Sequence, residues 1–121
     1  DIVSPLTERE FKKLKSKMVA VFGNNDGERF GLKKFFDITL PPLELTLDDK
    51  KVIVMHEPHS LEALKKSKYY DIIIYGHLHN PVIEKGETLI INPGETCRWL
   101  TGKATIALLD TETMEAKIIE L

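Results

Sequence analysis

Cysteine is almost absent from this chain. Cys97 is the only one among 121 residues, so no intrachain disulfide can staple the fold. No motif places a base beside Cys97, which reads as a small core or near-surface side chain rather than a nucleophile. No apolar run approaches the roughly 20 residues of a membrane span, and no stretch has the charged-then-apolar plan of a secretory signal. Neither sign of charge dominates: 17 Lys and Arg against 19 Asp and Glu give a formal net charge of -2. That balance favours neither nucleic acid nor a membrane surface as partner. These absences leave a soluble, cytoplasmic protein acting on something small. The 42% hydrophobic content is enough for one core, and residues 1–121 read as a single domain.

Short apolar runs separated by turn residues make up most of the chain. "KMVAVF", "KVIVM" and "DIIIY" are continuous runs of the kind covered on both faces of a sheet. "GNND" breaks the first of them and predicts a strand end at Gly23. "TEREFKKLK" opens with Thr7 and carries Glu10 three residues later, a capping box, with Phe11 and Leu14 as an apolar stripe; it predicts an amphipathic helix. "GERFGLKKFF" spaces Phe30, Leu32, Phe35 and Phe36 as a short helix, stopped by "LPP" near Leu40. Residues 43–55 read as a hairpin leading into a central strand, and "LEALKKSK" as a helix capped by Ser60. After Tyr75, "PVIE", "TLIIN", "ATIALLD" and "MEAKIIEL" predict a β-meander. Alternating strands and helices followed by a run of strands give an α/β expectation: a two-layer β-sandwich flanked by helices.

Three of the strand-like runs end in residues of ligand type: "VAVFGNND", "VIVMHEPH" and "DIIIYGHLHNP". Ligands of open α/β sheets gather beyond the carboxyl ends of the strands, where loops converge on a rigid base. Asn24, His56, His77 and His79 all occupy such ends. A His-x-His pair leaving a strand sets both rings on one side by the period of two, and imidazole is the commonest ligand of divalent transition metals. Taken alone, the pair is equally open to surface histidines or histidines bonded to backbone.

"GNND", the strand-terminal histidine of "VMHEPH", "YGHLH" and "INPGE", in that order, resemble the calcineurin-like metallophosphoesterases, in particular the small single-domain phosphodiesterases of bacteria and archaea. The resemblance covers nearly the whole chain. It implies a metal-dependent phosphodiesterase with two divalent metal ions at the strand ends, manganese favoured and nickel, iron or zinc open. It implies further that Asp1, in "DIVSP", is the remainder of a Gly-Asp motif and bridges the two ions. Asn24, His56 and His77 then hold the second metal, and His79 holds the first. A hydroxide activated by the two metals attacks phosphorus in line, so no protein nucleophile is required. The family's Asp-x-His pair on an N-terminal strand does not precede Asp1. The chain is therefore expected to be a C-terminal fragment of the domain, lacking its first strand–helix unit and leaving an open sheet edge.

Asn25 stands where many relatives have a histidine that protonates the leaving group. An amide cannot do this, and His59 is the candidate substitute, weighed against a solvated loop histidine. Glu57 replaces a glycine usual in the family. Asp26 is expected to orient a ligand or a turn rather than to hold metal. Asn92 and Pro93 of "INPGE" are expected to fix a turn, with Glu95 and Arg98 contacting substrate or, the reading preferred, serving as loop charge. Trp99 marks a subunit contact or a partly buried core position. The expected partner is a small phosphodiester or nucleotide-like molecule, with no nucleic-acid surface and no membrane; a homo-oligomer is open. The alternative is a catalytically weak scaffold or protein-binding module, as a retromer subunit of this fold is.

Overall fold

A computed structural model describes residues 1–121. In chain order it has a 3-10 turn at Pro5–Thr7, α1 (Glu8–Phe11), β1 (Ala20–Val21), α2 (Arg29–Phe35), β2 (Ile38–Thr39), β3 (Leu43–Leu47) and β4 (Lys50–Met55). There follow α3 (Leu61–Ser67), β5 (Ile72–Tyr75), β6 (Val82–Glu84), β7 (Leu89–Asn92), β8 (Thr105–Asp110) and β9 (Glu115–Glu120). The central sheet has the order β3-β4-β5-β7-β6, parallel where β4, β5 and β7 meet and antiparallel at both edges.

The continuous apolar runs are explained by burial on both faces. One face of the central sheet carries Ile53, Met55, Ile73, Tyr75 and Ile90, which pack against Leu61 and Leu64 of α3. The opposite face carries Val52, Ile72, Leu89 and Ile91, which pack against Ala107, Leu109 and Ala116 of the β8–β9 hairpin. Burying each such Ile or Leu contributes about 1.5–3 kcal/mol. These layers make the mixed α/β sandwich that the sequence implies. A third cluster, Phe22, Leu32, Phe36 and Ile38, joins β1, β2 and α2 and also receives Ile2 and Phe11. No helix is long and apolar enough to cross a membrane.

The structure differs from the expected elements in four places. The strand expected in "KMVAVF" shortens to Ala20–Val21, paired parallel with Ile38–Thr39. The capping box does not form. Thr7 is already helical at φ -70, without a side-chain cap bond, and its hydroxyl donates to the Ser4 carbonyl at 2.6 Å. Ser4 caps the preceding 3-10 turn instead, and α1 has only four residues. Ser60 likewise makes no cap bond, because its φ of 56 is left-handed whereas a capping residue needs extended backbone.

The expected meander is also divided between two layers. β6 and β7 form a hairpin, but β7 inserts beside β5, while β8 and β9 pair only with each other. All four residues of β7 are buried, which suits a strand covered on both faces; β8 alternates, which suits one covered face.

Candidate metal centre

The "GNND" turn follows β1 and is built around Asp26. This carboxylate is 2% exposed and accepts from the backbone N–H of Ile2, Val3 and Gly23, each at 2.7 Å. Burial raises its pKa, but the three backbone donors outweigh that and hold it below the ordinary value of 3.8. Asp26 thus clamps residues 1–3 onto the end of β1, including Val3, whose φ of 69 is strained for a β-branched residue. Both of its oxygens are taken by backbone donors.

The clamp delivers Asp1. A Cβ on Gly23 would lie 1.9 Å from the Asp1 Oδ1, so only glycine admits the carboxylate this close. Asn25 fixes it further. Its backbone N–H donates to Asp1 Oδ1 at 2.8 Å and its side-chain Nδ2 to Oδ2 at 3.1 Å.

Beside Asp1, three more side chains converge from three chain segments. Asn24 Oδ1 lies 2.7 Å from His56 Nε2 and 3.1 Å from His77 Nδ1. The two histidine nitrogens are 3.2 Å apart, and His56 Nε2 is 3.4 Å from Asp1 Oδ2. Burial lowers the His56 pKa from 6.5, reinforced by the positive charge of the amine of Asp1 and then by His77. The shift favours the neutral imidazole, the form that ligates. No three His, Cys, Asp or Glu side chains make a ready-made metal cage; the convergence runs through the amide oxygen of Asn24. Two imidazole nitrogens, an amide oxygen and a carboxylate form a donor set suited to a divalent transition metal.

The His-x-His geometry departs from the pleat expected of a strand. β5 ends at Tyr75, and each histidine sits at the apex of a three-residue turn: Leu78 N–H donates to the Gly76 carbonyl and Asn80 N–H to the Leu78 carbonyl, both at 2.7 Å. The central residues have φ of 64 and 61, a strained conformation of the kind concentrated at functional sites. The two rings consequently meet different partners.

His79 faces Glu95. Its Nδ1 lies 2.7 Å from Glu95 Oε2, and Glu95 Oε1 accepts from Leu100 N–H at 2.9 Å, Thr101 N–H at 2.6 Å and the Thr101 hydroxyl at 2.8 Å. Burial pushes this carboxyl up, yet the Thr101 and His79 hydrogen bonds outweigh it and hold the pKa at about 2. Glu95 is 5% exposed, so the preference for ordinary loop charge is corrected: the carboxylate turns inward to His79 and Thr101. Asn92 behaves as expected, its Oδ1 accepting from Gly94 N–H at 3.0 Å. Gly94 has φ 83, and a Cβ there would meet Thr105 Oγ1 at 2.1 Å. Gly94→Ala should therefore cost about 2 kcal/mol, read as a lower urea midpoint at constant m-value.

The remaining candidates lie outside the convergence. His59 is exposed, with Nε2 3.1 Å from Glu57 Oε2. It lines a cavity of about 710 Å³ that also borders Asn24, Arg29 and His56. Arg98 donates to the Leu121 carbonyl. Trp99 is 83% exposed and belongs to no core, because Leu100 and Thr101 turn inward to Glu95 and carry it out. Cys97 is exposed, its Sγ 3.4 Å from Glu95 Oε2.

Known proteins resemble this chain in sequence and fold. The phosphodiesterase MJ0936 of Methanocaldococcus jannaschii is 42% identical over 130 residues, covering 100% of this chain and 78% of that protein. The phosphodiesterase YfcE of Escherichia coli is 33% identical over 104 residues, covering 81% of this chain but 55% of its own length. A solved archaeal phosphodiesterase superposes with a TM-score of 0.91 at 40% identity, covering 100% of this chain and 79% of its own. Residues 1–114 match the calcineurin-like phosphoesterase superfamily domain, and with strand-end histidines, a clamped aspartate and a bridging amide in that frame, the chain belongs to the calcineurin-like phosphoesterase superfamily.

Proposed function

We propose that the protein is a metal-dependent phosphodiesterase acting on a small phosphodiester. The observation that carries this is the approach of the Asn24, His77 and Asp1 donor atoms to 2.7, 3.2 and 3.4 Å from His56 Nε2. The phosphodiesterase names of relatives at 42% and 33% identity support the reaction class. Asn24, His56 and His77 would hold one divalent ion, His79 would contribute to a second, and Asp1 would serve both; manganese is favoured. Bound ions at such a pair supply Lewis acidity and neutralise charge that builds on phosphate oxygens. The chain's own residues set the geometry. Asp26 and Gly23 place the Asp1 carboxylate, and Asn25 holds it by two hydrogen bonds. The neutral His56 leaves a lone pair available. His59, exposed on the wall of the adjoining cavity, is the candidate substitute for the proton donor missing at position 25, and it stands outside the ligand convergence. Elemental analysis with turnover of a chromogenic bis-ester against a mono-ester tests the reading; mono-ester preference, or turnover unaffected by chelator, would sink it.

Asn25 offers the leaving group no proton, so turnover should depend steeply on leaving-group pKa. Asn25→His should flatten that dependence, speeding poor leaving groups most. The comparison is the slope of log rate against leaving-group pKa in the two proteins. Equal slopes would show that position 25 does not reach the leaving oxygen.

A further inference from the structure

We propose that Glu95 is a positioning residue that fixes the tautomer of His79, so that Nδ1 carries the hydrogen and Nε2 presents its lone pair as the ligating atom. The inference rests on the phosphodiesterase reading for its purpose, but not for its geometry. Glu95 leads out of β7 and His79 out of β5, and the two loops are packed together where Gly94 passes the His79 carbonyl. The Glu95 side chain is 3% exposed and that of His79 31%, so one face of the imidazole edge is buried against an acid and the other is open. An ionised carboxylate only accepts. With its Oε2 2.7 Å from Nδ1, a neutral His79 must place its hydrogen there, which leaves Nε2 as the acceptor.

The other oxygen explains why the carboxylate does not swing away. Oε1 takes three donors from Leu100 and Thr101, and the Glu95 carbonyl accepts from Thr105 N–H at 2.7 Å. The acid is thus anchored by backbone on both sides before it touches the ring. This is the outer partner that metal-ligating histidines usually have, and loss of such a partner typically weakens metal binding about 10–100-fold.

The same anchoring makes one substitution decisive. In Glu95→Gln the amide oxygen must stay at the Oε1 position, because the reverse orientation would set NH₂ against two backbone N–H groups. The amide nitrogen then faces Nδ1, which must accept, and the His79 hydrogen moves to Nε2. The experiment is long-range ¹H–¹⁵N NMR of the histidine rings at mildly alkaline pH, in metal-free protein and with zinc alone added. Wild type is expected to show His79 as the Nδ1–H form, with zinc shifting Nε2. Glu95→Gln is expected to keep its fold, show the Nε2–H form, and bind zinc through His79 about 10–100-fold more weakly. An Nε2–H tautomer in the wild type overturns the proposal even if the variant does not fold. So does a Glu95→Gln protein that retains Nδ1–H, or whose Nε2 engages zinc as tightly as before. Failure of the phosphodiesterase reading looks different: the wild type turns over no bis-ester while the tautomer result stands.

Discussion

Asp26→Ala is expected to remove about 3 kcal/mol of stability, because it leaves one buried and two part-buried backbone N–H groups without their acceptor at once, and each such loss costs about 1–3 kcal/mol before relaxation. The acid is 2% exposed and receives Ile2, Val3 and Gly23 N–H at 2.7 Å, so its loss leaves the buried Gly23 N–H without an acceptor. Val3, held at φ 69, then relaxes toward negative φ and carries Asp1 off the "GNND" turn. Stability and site geometry should therefore fail together. The pH dependence gives a second reading. The folded pKa lies below 3.8, so ionised Asp26 contributes stability that is present above about 4 and is lost as pH falls through the folded value. Asp26→Ala should lack that part of the acid transition. Urea unfolding of both proteins at neutral pH and near pH 3 checks it: a difference below about 1 kcal/mol at neutral pH, or an unchanged difference on acidification, would show that the clamp is not ionic.

Much of this architecture is readable from residue patterns, and the parts that are not have physical causes. "KVIVM" and "DIIIY" reveal a sheet buried on both faces because nothing polar interrupts them, and β4 and β5 are found there. The location of Asn24, His56 and His77 follows from the same runs, since a strand that ends abruptly in ligand-type residues delivers them to one edge. Glu95 was not legible as a hub. Its role depends on the return of the chain at Leu100 and Thr101, and nothing in "GETCRWLT" distinguishes an acid that turns inward from one that points to water. The capping residues fail for a related reason: Thr7 and Ser60 have the right chemistry, but the backbone at each is already committed, helical in one and left-handed in the other. Side-chain type predicts a cap only where the preceding turn leaves that residue extended. The His-x-His pair is informative in the opposite sense. The two rings repeat every second residue as expected, yet successive tight turns rather than pleating produce the repeat, and so the rings serve two different partners.

Removing His77 is expected to have the largest effect on the proposed metal centre, more than the roughly 100-fold typical of losing an outer partner. Its Nδ1 stands 3.1 Å from Asn24 Oδ1 and 3.2 Å from His56 Nε2, so it supplies one of only two nitrogens in the convergence. Alanine alone is an ambiguous substitution, because position 77 has φ 64 and left-handed backbone is less costly for histidine, asparagine and glycine than for alanine. His77→Gly removes the ring while relieving that strain, and His77→Asn tolerates the same φ with too short a reach to restore the nitrogen. Both should unfold near the wild-type midpoint, retain less metal after dialysis, and lose hydrolysis of bis-esters in proportion. Asn24→Ala should act in the same direction, since its oxygen touches both histidines. Elemental analysis set beside the unfolding midpoint separates ligand loss from misfolding. Full metal content in folded His77→Gly and His77→Asn would mean that His77 is only a hydrogen-bond partner of Asn24, and that the centre is assembled from His56, Asp1 and the amide without it.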